Sequence, residues 1–343
     1  MLIRSSIFLL SLLSVFMGCV PRENPVEPYQ NQHVEPIVSA WWADLSPDGR
    51  SFAYVRNGNV YRADTNGANE TLLMKGGFEI YDLRWSPDGR SVGGIKSDLL
   101  STVNHSIVTV DIATGKQTVM NHAFEVLSTT SIYRNGWNWN TNGTRIACFT
   151  YDSTYHLTVL SADGMGTVQR SFSASEYDWS SGGDRIAFLS KKKSYEDTMH
   201  LTVVDLISGD EHTFLSEPRI LSSLQWTRNP SILAVNHSWT GVVLYNVDTM
   251  QPLDSLPVSN GITFDDPSYR ISPDGTKVLY IYEHPPLSPD SFFPTQLMCL
   301  TVATGERKVI IESYPGLTYF QWFPDSKQIA YCYNGNLYKI PVL

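Results

Sequence analysis

The stretch that decides the fold is Leu83-Arg84-Trp85-Ser86-Pro87-Asp88-Gly89-Arg90, followed by Ser91-Val92-Gly93-Gly94-Ile95. A short run ends at Trp85, a reversal follows, and a second run leads away. Pro fixes φ at the first corner, Asp bonds its own backbone and Gly accepts the left-handed dihedral, so the segment predicts an antiparallel hairpin. The pattern returns at Leu45-Ser46-Pro47-Asp48-Gly49, at Ile271-Ser272-Pro273-Asp274-Gly275 and, with Ser for Gly, at Trp322-Phe323-Pro324-Asp325-Ser326. Weaker copies stand at Trp139-Asn140-Thr141-Asn142-Gly143, Trp179-Ser180-Ser181-Gly182-Gly183 and Trp226-Thr227-Arg228-Asn229-Pro230. With the residue before each turn as marker, the copies sit at 45, 85, 139, 179, 226, 271 and 322, spaced by 40, 54, 40, 47, 45 and 51 residues. That period is the one expected of a radial array of four-stranded sheets.

Each unit carries the rest of its sheet. A third run ends in a second tight turn, as in Ile107 to Ile112 before Ala113-Thr114-Gly115-Lys116, Leu201 to Leu206 before Ile207-Ser208-Gly209-Asp210, and Leu297 to Val302 before Ala303-Thr304-Gly305-Glu306. A fourth, mixed run follows. Four strands repeated seven times predict an all-β chain, a seven-bladed β-propeller of four-stranded antiparallel blades. The last unit offers three strands before Leu343, so the segment from His33 to Val38 is expected to supply the missing outermost strand and close the ring.

Three regions follow from this reading. Residues 1–18 pair Arg4 with an apolar run from Ile7 to Met17, closed by Gly18-Cys19, a signal-peptide pattern. It resembles the bacterial lipoprotein signal, which implies cleavage before Cys19 and lipid attachment to it, in the outer membrane since Val20 is not Asp. Residues 19–32, rich in Pro, Asn and Glu, read as a flexible tether. Residues 33–343 form the propeller.

Composition narrows the partners. The 343 residues are 42% hydrophobic and 12% aromatic, ample for a buried core, and the net charge of −9 argues against nucleic acid or an anionic membrane as the main partner of the folded domain. Lys191-Lys192-Lys193 is the one basic run and reads as a solvated loop. Cys148, Cys299 and Cys332 lie in apolar runs of different units and read as buried thiols, with no Cys-x-x-Cys metal pattern and no disulfide framework. Trp85, Trp139, Trp179, Trp226 and Trp322 occupy one repeat position and are expected to fill the wedge between blades. Asp48, Asp88, Asp274 and Asp325 are expected to be turn residues rather than metal ligands.

The repeat, with Trp85-Ser86-Pro87-Asp88-Gly89, Ile271 to Tyr280, and Trp179-Ser180 with Arg185-Ile186-Ala187-Phe188, resembles the TolB-like family of bacterial propellers across residues 36–343. The resemblance implies the propeller fold and is not specific for activity. The Tol-system member itself has six blades and an additional N-terminal domain, so its partner contacts carry over to no residue here. No Gly-x-Ser-x-Gly elbow accompanies the repeat. A second resemblance, to oligogalacturonate lyases, implies a divalent metal held by His and Gln. His156, His200 and Gln296 stand at equivalent third-strand starts, where a polar strand cap explains them as well.

The expected function is a lipid-anchored envelope propeller that binds or scaffolds envelope proteins without a cofactor or metal. The alternative is a glycan-binding or lyase-like propeller. The upper connections, Asn121 to Asn135 among them, are long and expected to be irregular, and the expected partner-binding residues are His284, Leu287, Phe292 and Phe293, together with Lys191, Lys192 and Tyr195.

Overall fold

A computed structural model describes residues 34–75, 79–97, 105–120, 125–126, 136–151, 155–163, 168–190, 198–218, 221–237, 241–255, 269–283, 295–313 and 317–342. Seven antiparallel sheets follow one another along the chain. Their innermost strands are Trp42–Leu45, Glu79–Trp85, Trp137–Trp139, Glu176–Trp179, Leu221–Trp226, Tyr269–Ile271 and Leu317–Trp322. The chain is a seven-bladed β-propeller.

The turns form as their residues dictate. In the first blade the Ser46 hydroxyl donates to Asp48 Oδ1 at 2.6 Å, the Arg50 amide donates to the same oxygen at 3.0 Å, and the Ser51 amide donates to Ser46 Oγ at 2.9 Å. Blades two and six repeat the lattice with Ser86, Asp88 and Arg90, and with Ser272, Asp274 and Thr276. Burial works against the Asp274 charge, but the Ser272 and Thr276 hydrogen bonds outweigh it and hold the carboxyl at about 2. These aspartates are turn residues. Where Ser326 replaces Gly it takes the same left-handed φ of 60°, and its hydroxyl accepts the Asp274 amide of the neighbouring turn at 3.0 Å.

Ring closure comes from the N-terminal side. Val38–Ser39 pairs antiparallel with Asn336–Pro341, Val38 opposite Leu337 and Ser39 opposite Asn336. The Ile37 amide donates to Leu337 O at 2.8 Å, and the Ala40 amide donates to Gly335 O at 2.9 Å. The closing strand thus begins at the C-terminal end of the expected segment. Blade three departs from the expected four strands: Glu125–Val126, expected to be irregular, pairs with Tyr151 and Thr150 on the same second strand that Trp137–Trp139 joins lower down. Its second strand is therefore paired on the axis side by two separate short strands.

The apolar core is divided into seven clusters, one in each seam between neighbouring blades. The marker residue of each repeat packs against the preceding blade. Trp85, Trp139, Trp179, Trp226 and Trp322 are all buried there, as wedge fillers. Cys148, Cys299 and Cys332 are buried free thiols, and burial pushes Cys148 and Cys332 up to about 12.

Candidate functional site

An innermost strand pairs on one side only, so half of its backbone groups face the propeller axis with no ladder partner. The residue just before each marker answers this need. Those residues are Asp44, Arg84, Asn138, Asp178, Gln225, Arg270 and Gln321, polar in every blade. Asn138 lies between buried Trp137 and Trp139, Asp178 between buried Tyr177 and Trp179, and Gln225 between buried Leu224 and Trp226. Each of the three is itself partly exposed, as are Arg84, Arg270 and Gln321. The alternation turns these side chains toward an axial channel, six of them partly exposed and Asp44 buried.

Several of them also lock blade to blade. Asp44 Oδ2 accepts the Trp85 amide at 2.7 Å, and Asp178 Oδ2 accepts the Trp226 amide at 2.7 Å. Gln225 Oε1 accepts the Ile271 amide at 3.5 Å. The indoles of Trp85 and Trp322 donate back to the carbonyls of Asp44 and Arg270 at 3.0 and 2.9 Å. One step nearer the top, Tyr177 and Tyr269 donate their hydroxyls to Ala147 O and Ala234 O of the preceding blades at 2.8 and 3.1 Å.

The charges concentrate where blade two meets the channel. Arg84 Nη2 lies 2.7 Å from Asp82 Oδ1, with side chains 19% and 15% exposed. Asp82 sits in a bulge between Tyr81 and Arg84 with φ at 52°, which turns its carboxylate inward. Burial raises the Asp82 pKa against the opposing pull of Arg84, the Trp137 amide and Arg270. Burial likewise lifts the Asp44 carboxyl to about 6, although Arg84 and the Trp85 amide favour its charged form. Burial opposes the Arg84 charge too, but Asp82 and Asp44 outweigh it and raise its pKa. From the far side, Arg270 stacks 5.7 Å from the Phe320 ring and donates to Tyr269 O at 3.3 Å.

The residues expected from the sequence to bind a partner, His284, Leu287, Phe292, Phe293, Lys191, Lys192 and Tyr195, lie outside the described residues, as does Cys19. His156 and His200 stand on third strands of blades three and four, two strands out from the axis. His200 Nδ1 bonds Ser216 Oγ at 2.9 Å on the neighbouring outer strand. Gln296 occupies the matching third strand of blade six, opposite Tyr282 and Glu312. The three residues stand on third strands of three different blades, away from the axial ring. Among the described residues no group of three or more His, Cys, Asp or Glu is placed to hold a metal ion.

The axial ring was the feature missed from sequence, and a signal for it existed. Every residue before a marker is a hydrogen-bonding type, set among apolar neighbours. A second missed feature is Trp41, which links the closing strand to the first blade and is 60% exposed. It stands at the top, beside the two-residue hairpins Asn57-Gly58 and Asn334-Gly335, whose four φ values lie between 48° and 72°.

No family model matches the sequence, and no curated protein matches it. Solved structures do resemble the fold. An oligogalacturonate lyase from Vibrio parahaemolyticus is 13% identical, with a TM-score of 0.66 over 90% of this chain and 91% of that one. An oligogalacturonate lyase in complex with manganese is also 13% identical, with a TM-score of 0.61 over 90% of both chains. The Cps50 (Swd1) β-propeller domain of Myceliophteria thermophila is 14% identical, with a TM-score of 0.59 over 90% of this chain and 99% of that one. At such identities the likeness is one of fold, shared by enzymes and by other propellers.

Proposed function

We propose that this chain is a protein-binding or scaffolding module of the bacterial cell envelope, anchored by lipid on Cys19. The observation that carries the binding role is Trp41. Of the large hydrophobic residues that stand exposed among those described, it is the one aromatic. Its ring packs on the turn at Gly335, where an added Cβ would meet it at 3.1 Å, so it is presented from a rigid platform. Large aromatics held at low entropic cost are the commonest anchors of protein interfaces. The low hairpins of blades one and seven leave the surface around it open. The anchor is supported by Arg4, the following apolar run and Gly18-Cys19.

The test is site-specific photocrosslinking in envelope fractions. A crosslinker at position 41 should give a discrete adduct, and one at Leu253, on an outer edge strand, should not. Trp41→Ala should weaken capture of that adduct partner while leaving the melting midpoint within about 2 °C, as expected of a surface change. Equal adducts from both positions would remove the top face from the reading.

A second reading, a glycan-binding or lyase-like propeller, is favoured by the axial ring. Its Asp, Asn, Gln and Arg side chains are planar groups suited to hydroxyl and carboxylate recognition. The separation of His156, His200 and Gln296 on third strands gives that reading no metal centre built from those three.

A further inference from the structure

We propose that a cleft on the lower face, between the turns of blades one and two, binds a neutral sugar unit, free or within a glycan. The inference does not rest on the top-face reading, and it places sugar recognition away from the axial ring.

Successive turns touch at most seams. A Cβ built on Gly49 would lie 2.9 Å from Pro324 Cδ of blade seven, one on Gly143 would lie 3.7 Å from Pro87 Cδ of blade two, and one on Gly183 would lie 3.2 Å from the Asn142 backbone nitrogen of blade three. The Thr141 hydroxyl donates to Ser180 O across blades three and four, and the Ser181 hydroxyl donates to Arg228 O across blades four and five, both at 2.8 Å. Ser326 joins blade seven to the Asp274 amide of blade six at 3.0 Å. Blade two departs from this pattern. A Cβ on Gly89, like one on Gly275 of blade six, would meet nothing within 4 Å. Between the turns of blades one and two lies a cavity of about 390 Å³, a volume in the range of small-molecule sites.

The cavity carries donors and acceptors side by side with apolar surface. Arg62, on the third strand of blade one, donates from Nε and Nη2 to the buried Ser51 hydroxyl at 3.2 and 3.1 Å. Ser51 is uncharged, and among the described residues Arg62 forms no ion pair, so its guanidinium is oriented but keeps Nη1 for a ligand. Asp48 and Asp88 each spend Oδ1 on their own turn. The second oxygen of Asp48 accepts no hydrogen bond among the described residues, and that of Asp88 lies 3.9 Å from exposed Arg90. Pro47, Pro87 and Trp85 supply the apolar part of the lining. A cation in this cleft meets Arg62, and an anion meets two carboxylates. A hydroxyl both donates and accepts, so neighbouring hydroxyls of a pyranose satisfy guanidinium and carboxylates together, while its C–H faces lie on proline and aromatic rings.

Saturation-transfer NMR on the full-length protein tests this with D-glucose, D-galactose, N-acetyl-D-glucosamine and cellobiose, and with L-lysinamide and acetate as charged probes. At least one sugar should give a saturable signal, and neither charged probe should. Binding of cellobiose without a monosaccharide would assign a unit within a chain, and binding of a monosaccharide a free sugar. Arg62→Met keeps the stem and removes the donors, and should weaken the bound sugar by about tenfold. Asp88→Asn should weaken it several-fold even if Arg62→Met folds poorly. The turn accepts that change, since Asn142 and Asn229 hold the same place in blades three and five and accept the same amide bond at 3.1 and 3.0 Å. Gln225→Glu in the axial ring and Trp41→Ala should leave sugar binding unchanged. No saturable signal from any of the sugars, a charged probe bound as tightly as the best sugar, or wild-type affinity in Asp88→Asn would overturn the proposal.

Discussion

The Asp44 carboxylate accepts the Trp85 amide at 2.7 Å across the seam of blades one and two, while the Trp85 indole donates to the Asp44 carbonyl at 3.0 Å. This reciprocal clasp is buried, and it makes stability depend on pH. The folded-state pKa of Asp44 is about 6 against an ordinary 3.8, so the native state binds the proton more tightly than the unfolded chain. The associated stabilisation is complete below 3.8 and is lost as pH rises through about 6. A shift of that size is worth about 3 kcal/mol. Asp44→Asn keeps an acceptor for the Trp85 amide but does not titrate. The difference in urea stability between wild type and Asp44→Asn should move in favour of wild type as pH falls from 7 to 4. The surface aspartates with lowered pKa act in the opposite sense in both proteins and cancel in the difference. A difference that stays flat over this range would show that Asp44 does not titrate as its burial requires.

Closure by Val38–Ser39 predicts a contrast between two deletions. Removing residues 33–38 takes away the Ile37 amide donor and half of the closing strand, which exposes the edge of Asn336–Pro341. The melting midpoint should fall by on the order of 5 °C or more, with a tendency to associate through the freed edge. Removing residues 20–30 should leave the midpoint where it was. Differential scanning calorimetry of the two truncations decides the matter, and equal midpoints would mean that the N-terminal strand contributes nothing to closure.

The blade count, the turn chemistry, the wedge role of the tryptophans and the closing strand were legible because each rests on local pattern. Pro87-Asp88-Gly89 specifies a turn with no knowledge of its neighbours, and seven such turns specify a ring. The axial ring was harder to see. Asp44 and Arg84 belong to a single ring only once the seven strands are brought round one axis, and each looks in its own blade like an ordinary strand polar residue. Trp41 was overlooked for a similar reason. Its neighbour Trp42 enters a seam, and the exposure of Trp41 depends on the shortness of hairpins almost three hundred residues apart. Glu125–Val126 is not legible as a strand in the sequence because two residues carry no period.

Trp322 separates the packing and hydrogen-bonding parts of a seam. Its ring is buried between blades six and seven, and its indole donates to Arg270 O at 2.9 Å. Trp322→Phe removes the donor and keeps most of the apolar surface, so the expected loss is about 1 kcal/mol. Trp322→Ala empties the wedge and should cost about 3–5 kcal/mol. Chemical denaturation gives both values. Similar losses for Phe and Ala would indicate that the hydrogen bond, rather than the wedge volume, holds this seam.

Gly93 and Trp137 form a matched pair across the seam of blades two and three. Two adjacent glycines inside a strand weaken it unless something needs the space, and here something does. A Cβ on Gly93 would lie 2.6 Å from Trp137 Cη2, and one on Gly94 would lie 2.8 Å from Ile80 Cγ2. Trp137 is wholly buried and its indole is fixed by the bond to Asp82 O, so the ring cannot tilt away without breaking that bond. The neighbouring Trp139 ring, 5.8 Å away and edge-on, blocks retreat on another side. Gly93→Ala should therefore destabilise by about 1–3 kcal/mol, the usual result of overpacking a rigid core, although Ala is by itself the better strand residue. Trp137→Phe withdraws the ring edge that meets Gly93 and should carry its own cost from the lost indole bond. The double variant is expected to be less destabilised than the two single changes added together, by about 1 kcal/mol or more. A double-mutant cycle in urea measures this coupling. Strict additivity would mean that Gly93 is kept for the backbone alone, and that the indole of Trp137 has room to move.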